Sequence, residues 1–371
     1  MTVRQPQRSA AVTVSTMNAK GVTLVELMVS VVIGLFLVLG ATTLYVRSRN
    51  TADVDDSLAR LQETARYAIS VIETDVRMSN YWGLVNDPNL ATNKLASAVN
   101  QGGVASASGA DTLVPTSSHG QDCGTNYAVD ITKYIQVSSD SFPTTFTSHC
   151  AAHSSAVTTA DTLTVRRAAT TIDSSVDSDK LQICAARNSL RIILGGTCTA
   201  PDELHSLVTN IYYVDQSSDQ SASIPSLRRI SLIAGSTGTG PDFRDDEIVP
   251  GVEDMQIELG WGQGSETAVT GSPSANAQAV SYLQPSNSSI TSNNGQVVAV
   301  RVWLLVRSES TDKSYKDTNV YEYGNRSKGS GTNVTNDLNS AADAGKAYKP
   351  ADNYRRLLIS KTFFVRNAIG T

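Results

Sequence analysis

The clearest chemistry in the sequence is a single carboxylate inside an apolar stretch. Between Lys20 and Arg47 the only charged residue is Glu26. A carboxylate at the centre of a membrane span costs on the order of 3 kcal/mol, so a partner is expected. Cleavage between Gly21 and Val22 would make Glu26 the fifth residue behind a new α-amino group. The amine of a neighbouring copy would then neutralise it and align one subunit on the next.

Two other interpretations of this stretch follow from the residues alone. An uncleaved signal anchor with one interfacial glutamate would also explain Glu26. A conventional secretory signal would instead be cut near Gly40 and Ala41, but no Ala-x-Ala sequence precedes them. The first alternative stays open at this point, and the second is disfavoured.

Four cysteines, Cys123, Cys150, Cys184 and Cys198, lie beyond the apolar stretch. In an oxidising compartment they predict two disulfides, with three possible connectivities. Proximity in the sequence favours the pairs 123–150 and 184–198.

Two further groups of residues invite a metal interpretation. His149, Cys150 and His153 place three candidate ligands close together, but there is no Cys-x-x-Cys partner, and we predict no metal site. An acidic group offers oxygen ligands for calcium, although its spacing does not match an EF-hand loop. A solvated acidic turn is the favoured interpretation of these acidic residues: Asp242, Asp245, Asp246, Glu247 and Asp254.

No catalytic motif stands out. The sequence has no Gly-x-Ser-x-Gly elbow, phosphate-binding glycine loop or His-Glu-x-x-His. The four histidines fall in polar segments or at strand edges and are interpreted as exposed: His119, His149, His153 and His205. We therefore predict neither an enzyme nor a cofactor.

The element that must position Glu26 is a long helix, whose first half, residues 22–46, is predicted to span the membrane. Residues 27–46 carry no charge, and 20 helical residues span about 30 Å, the thickness of a bilayer core. The segment before it, residues 1–21, has three basic residues and no acid, which is typical of a cytoplasmic leader. Its removal would change the formal charge from −5 to −8, which argues against direct nucleic-acid binding.

The helix is predicted to continue beyond the apolar segment, as an amphipathic half over residues 47–79. One face carries apolar residues at spacings of three and four: Val54, Leu58, Leu61, Ala65, Ala68, Ile72 and Val76. The other face carries charge pairs such as Glu73 with Arg77. A helix from Val22 to about Met78 would be roughly 85 Å long.

Residues 80–371 are predicted to form a globular head. Residues 80–115, 262–294 and 308–347 are rich in Ser, Asn, Thr and Gly and are interpreted as long loops. Strands are expected in the β-branched or alternating runs 162–166, 181–185, 190–194, 207–214, 227–233, 255–259, 297–306 and 357–365. The predicted fold class is α+β, a long N-terminal helix packed on an antiparallel β-sheet head.

The run from Gly21 to Leu27, GVTLVEL, resembles the class III signal of type IV pilins and pseudopilins. The resemblance implies cleavage after Gly21 by a prepilin peptidase, N-methylation of Val22 and an assembly role for Glu26. Two positions depart from the common pattern: Val22 stands where Phe is usual, and Thr43 stands where many major pilins have Pro.

The C-terminal half resembles the W-type (PilW-like) minor pilins. The resemblance rests on Pro250–Gln256, Val298–Arg307 and the ending from Asn353 to Asn367. It implies a minor pilin for type IV pilus assembly and twitching motility. A J-type pseudopilin of type II secretion is the nearest alternative, and an uncleaved, membrane-anchored binding or hydrolytic domain is the alternative from a different class.

The same resemblance implies partners and location. The partners would be other minor pilins and the major pilin through the helix, the prepilin peptidase, the inner membrane and a tip adhesin. The head would be periplasmic before the subunit enters the pilus of a Gram-negative bacterium. A subunit at the very tip has no neighbour's amine above it, so that subunit can dispense with the glutamate. The presence of Glu26 therefore predicts a place just below the tip.

Overall fold

The computed structural model describes residues 21–85, 91–92, 119–124, 127–262, 281–286, 296–329 and 333–368. The chain divides into two compact units, Met1–Asp56 and Ser57–Thr371. The predicted leader, apart from Gly21, and most of the predicted loops 80–115 and 262–294 lie outside the described residues.

A single helix, α1, runs from Leu24 to Met78. Its 55 residues correspond to about 82 Å of helix. In the first unit its apolar side chains are exposed, and in the second unit one face is buried. The buried residues of this face are Leu61, Ala65, Ala68, Ile69, Ile72, Asp75 and Val76. The predicted apolar face is therefore the packed one from residue 61 onwards, whereas Leu58 is 38% exposed.

The second unit contains fourteen described strands. They are β1 (Ala91–Thr92), β2 (Ile135–Ser138), β3 (Thr162–Ile172), β4 (Leu181–Ala186), β5 (Ser189–Leu194), β6 (Glu203–Asp215), β7 (Ser226–Ile233), β8 (Asp242–Pro250), β9 (Val252–Gly262), β10 (Ser281–Leu283), β11 (Gln296–Arg307), β12 (Val334–Thr335), β13 (Ala347–Tyr348) and β14 (Arg356–Phe364). Short 3-10 helices lie at His119–Gln121, Tyr127–Val129, Ser148–Cys150 and Ala341–Asp343.

The strands form two main sheets. The larger has the order β1-β5-β4-β6-β3-β2, and β7 joins it through β6 and carries β8. The smaller has the order β10-β9-β11-β14 and is antiparallel throughout. A parallel pair, β12 and β13, stands apart. The buried helix face and the inner faces of both sheets share one apolar core, so the predicted α+β fold is confirmed.

The smaller sheet explains the least polar stretch of the head. β11 lies between β9 and β14, and Val300, Val302 and Leu304 are fully buried. This is the central position that its few polar residues predict.

The structure corrects two expectations about polar segments. The acidic residues from Asp242 to Glu247 do not form a solvated turn, because they belong to strand β8, which pairs with β7. The segment 308–347 is not only a surface loop. Its Tyr323 and Arg326 are buried, and they contact Asp254 in β9.

Candidate functional site

The N-terminal residues that the sequence singles out lie together at the start of α1. Gly21 and Val22 are exposed and immediately precede the helix. Thr23 caps it: its Oγ1 accepts a hydrogen bond from the backbone N–H of Glu26 at 3.2 Å. Such a cap satisfies one of the free donors of the first turn. Glu26 is thereby held in the first helical turn, with its carboxylate on the exposed surface.

The helix that follows Glu26 carries an exposed apolar surface. Its side chains from Leu27 to Val46 are mostly more than half exposed. Within the described residues it is the one helix that is long and apolar enough to cross a membrane, judged by length and composition. Such a surface needs lipid or other apolar helices to cover it.

The serine and threonine hydroxyl groups in this segment donate hydrogen bonds within the helix. Ser30 Oγ donates to the carbonyl oxygen of Glu26 at 2.7 Å, and Thr42 Oγ1 donates to that of Val38 at 2.8 Å. Thr43 Oγ1 donates to the Gly40 carbonyl at 2.8 Å. Because these groups need no outside partner, they suit an apolar environment. Glu26, directly before this segment, is the one charged residue between Lys20 and Arg47.

The second half of α1 is fixed to the head by a buried carboxylate. Asp75 Oδ1 accepts hydrogen bonds from Arg167 Nε (3.2 Å) and Nη2 (2.9 Å). Its Oδ2 accepts from Asn210 Nδ2 (2.5 Å) and from the Tyr212 hydroxyl (2.6 Å). Burial, and then the charge of Asp75, raises the pKa of Tyr212 well above its ordinary value, so this hydroxyl remains a donor. These contacts join the helix to β3 and β6.

A second, exposed link joins α1 to the last strand. Glu73 accepts hydrogen bonds from Lys361 in β14 (2.6 Å) and from Arg77 (2.9 Å). These two cations lower the pKa of the Glu73 carboxyl. Just beyond the helix, Asn80 Nδ2 donates to the Asn367 carbonyl oxygen at 2.7 Å. The segment that follows β14 therefore lies against the end of the helix.

The three C-terminal motifs meet at one corner of the smaller sheet. Glu253 accepts two hydrogen bonds from Arg356, at 2.6 Å from Nε and 2.9 Å from Nη2. Burial opposes the charge of Arg356, but hydrogen bonds to Asp352 and Glu253 raise its pKa above the ordinary value. Gly251, with φ of +88°, makes the turn between β8 and β9, and a Cβ there would lie 2.9 Å from the carbonyl oxygen of Arg307. The motifs thus build the fold at this corner.

The structure joins Cys123 to Cys150 and Cys184 to Cys198. Cys150 is therefore committed to a disulfide, and His153 lies beside Asp219, with Nε2 and Oδ1 3.8 Å apart. The three candidate metal ligands from the sequence, His149, Cys150 and His153, therefore do not form one metal site.

The acidic residues considered for calcium each have another partner. Asp245 and Glu247 both contact Arg228, at 2.7 and 3.5 Å. Asp242 contacts His149, Asp246 contacts Arg244 and Asp254 contacts Arg326. They are not brought together as one oxygen cluster.

Sequence reasoning missed three structural residues. Thr23 has a recognisable signal, because Thr and Glu three residues apart before an apolar run are typical of a capping box. Asp75 and Arg326 have none, since their partners are distant in the chain. The interpretation of His205 as exposed is wrong: it is buried, with 1% exposure, and its Nδ1 lies 2.9 Å from the carbonyl oxygen of Ala169.

Two family models match this chain. The model of type IV pilus-assembly protein W matches residues 211–367, from within β6 to just beyond β14. The model of the prokaryotic N-terminal methylation motif matches residues 16–42, which include Gly21, Val22 and Glu26. No significant match was found to a curated protein or to a solved structure.

Proposed function

We propose that this chain, which is a PilW-like type IV pilin, acts as a minor pilin in a complex just below the pilus tip. The complex would prime pilus assembly and so support twitching motility. Its role is structural, in keeping with a family described by pilus assembly. Before assembly the subunit would sit in the inner membrane of a Gram-negative bacterium with a periplasmic head.

The observation that carries the proposal is the position of Glu26. It lies in the first turn of α1, four residues behind Val22, and it is the one charge on an exposed apolar surface. Cleavage after Gly21 would give Val22 a free, methylated amine. The amine of one subunit then neutralises the Glu26 carboxylate of the next, in surroundings of low dielectric constant where the pair is strong.

The remaining contacts suit a subunit of this kind. The exposed surface of residues 27–46 would pack first against lipid and then against the helices of other minor pilins and the major pilin. The two disulfides of the head suit an oxidising compartment such as the periplasm. A tip adhesin is a further partner that a place below the tip would allow.

Processing is the first step to test, by intact-mass analysis of the protein from the membranes of its own host, with and without the prepilin peptidase. We expect a product that begins at methylated Val22 and that is lost without the peptidase. Gly21→Leu is expected to keep the leader, whereas Gly40→Leu, the matched control, is expected to be processed. A Cβ at either glycine meets no atom within 4 Å, so neither change is expected to unfold the chain.

A full-length native product would contradict the proposal and favour an uncleaved, anchored domain. A cut near Gly40, blocked by Gly40→Leu, would instead indicate a conventional signal. The machine is tested separately, because pseudopilins share the processing step. Deletion of the gene should abolish surface pili and twitching, and loss of type II secretion with intact pili would favour the J-type alternative.

A further inference from the structure

We propose that His119, Asp122, His149 and Asp242 form a Zn²⁺ site in the head. Each residue offers one ligand atom, and the four atoms lie within 4.8 Å of one another. The Nδ1 atom of His119 is 3.0 Å from Asp122 Oδ2, and that of His149 is 2.8 Å from Asp242 Oδ1. The two imidazole rings are in contact, with centroids 3.9 Å apart.

The donor set selects the metal. Two imidazole nitrogens and two carboxylate oxygens suit zinc and related transition ions, whereas calcium and magnesium prefer oxygen ligands alone. Ligands about 2.1 Å from a tetrahedral zinc ion are about 3.4 Å from each other. Three of the six separations are 2.8, 3.0 and 3.9 Å, on both sides of this value, and all six lie within 4.8 Å, so side-chain shifts would bring the four ligands to a tetrahedron.

Asp122 is shared between the two histidines, which distinguishes the cluster from two separate ion pairs. Its Oδ2 is 3.0 Å from His119 Nδ1 and 3.9 Å from His149 Nδ1. The same oxygen also accepts the backbone N–H of His149 at 3.2 Å. One cation at the centre would contact both imidazoles and both carboxylates at once.

The backbone that carries these ligands is fixed independently of any metal. Asp122 and His149 are the neighbours of Cys123 and Cys150, whose disulfide holds their Cα atoms 5.2 Å apart. The carbonyl oxygen of Asp122 also accepts the backbone N–H of Thr147 at 2.8 Å. Such support reduces the cost of organising the ligands when the metal binds.

The fourth ligand comes from the larger sheet. Asp242 is the first residue of β8, and its Oδ1 accepts its neighbour Phe243's backbone N–H at 2.7 Å. A bound zinc ion would therefore tie the segment from His119 to Cys150 to the start of β8. Four protein ligands close a tetrahedral site, so the expected role is structural.

The test uses the full chain in detergent, stripped with a chelator and titrated with ZnCl₂ in a calorimeter. We expect one equivalent to bind, and we expect His119→Gln and His149→Gln to weaken binding roughly tenfold or more. His153→Gln is the matched control, because His153 is similarly exposed but lies outside the cluster. It should bind zinc like the wild type.

Thermal unfolding supplies the second readout. Zinc should raise the melting temperature of the wild type and of His153→Gln, but not of the two ligand variants, because a ligand of the folded state stabilises it. Melting curves without zinc show whether the variants are folded. If His149→Gln is not folded, the test rests on His119→Gln, because the His119 side chain is exposed. No binding at micromolar zinc, or equal binding in His119→Gln, would overturn the proposal.

Discussion

At the scale of single residues, Glu26 offers the most direct test of the proposed assembly. Replacing it by Ala or Gln removes the charge that would meet a neighbour's amine, and it leaves the apolar segment able to insert. We expect near-complete loss of surface pili and of twitching, with normal insertion and leader cleavage. Sheared-pilus yield, twitching-zone diameter and immunoblots of membrane fractions measure these three properties.

Ser30→Ala is the matched control for Glu26, one helical turn further along. The Ser30 hydroxyl donates its proton to the carbonyl oxygen of Glu26 within the same helix, so it has neither a charge nor a free donor for a neighbour. Its removal should leave piliation unchanged. If Glu26→Ala cells were as piliated as the Ser30→Ala cells, the pairing role would be wrong.

The roles proposed for these N-terminal residues could be predicted from the sequence because they depend on spacing along the chain. Gly21, Val22 and Glu26 have fixed spacing, and a peptidase or a neighbouring helix would meet them in that order. His205 shows the opposite case. Its position in an alternating strand fits either face. The structure buries its ring beside Gly83 and the ring of Tyr81, with the Tyr81 and His205 centroids 6.1 Å apart, and these neighbours are distant in the chain.

At the scale of elements, every strand predicted from β-branched residues is present, with longer ends in most cases. β8 was missed because its run of acidic residues has low β propensity. Side chains from other segments compensate for it: the Arg228 guanidinium from β7 contacts Asp245, and the His149 imidazole contacts Asp242. Tertiary contacts of this kind override local preference and cannot be read from the strand itself.

The attachment of α1 to the larger sheet gives a prediction for an element pair. Asp75→Ala would leave the guanidinium of Arg167 and the side chains of Asn210 and Tyr212 without their shared acceptor. Removing one partner of a buried ion pair typically costs 3–5 kcal/mol, so we expect the free energy of unfolding to fall by about 3 kcal/mol. Urea unfolding of the full chain in detergent, followed by circular dichroism, measures the loss.

Glu73→Ala provides the comparison on the same helix. Its contacts with Lys361 and Arg77 are at the surface, where ion pairs contribute below about 1 kcal/mol. The structure therefore predicts a clear difference between the two variants. Equal losses would mean that the buried network around Asp75 does not fix the helix to the sheet.

At the scale of the whole molecule, the contacts that organise the head are long-range. Arg356 meets Glu253 across 103 residues of chain, and Arg326 meets Asp254 across 72. The motifs containing Glu253 and Arg356 carry the resemblance to PilW-like pilins, but the sequence does not show that the two residues touch. Fold class follows from local periodicity, whereas the partners of buried charges depend on how the sheets assemble.

The two disulfides allow a prediction about how the whole chain is stabilised. Each restricts the unfolded state, and loops of 14 and 27 residues correspond to about 3 and 3.5 kcal/mol. The packing around the two bridges should increase the difference between their contributions to stability. Cys123 and Cys150 are fully buried in the main core, whereas Cys198 lies at the edge of a small cluster with Ile193.

Replacing both Cys123 and Cys150 by Ala would therefore remove the longer link and also leave a cavity in the core, which adds to the cost. Replacing Cys184 and Cys198 by Ala removes the shorter link, which lies in the small cluster where Cys198 is only partly buried. We expect the first double variant to unfold at clearly lower urea than the second, and both at lower urea than the wild type. The opposite order would indicate that the main core closes around residues 123 and 150 without help from their bridge.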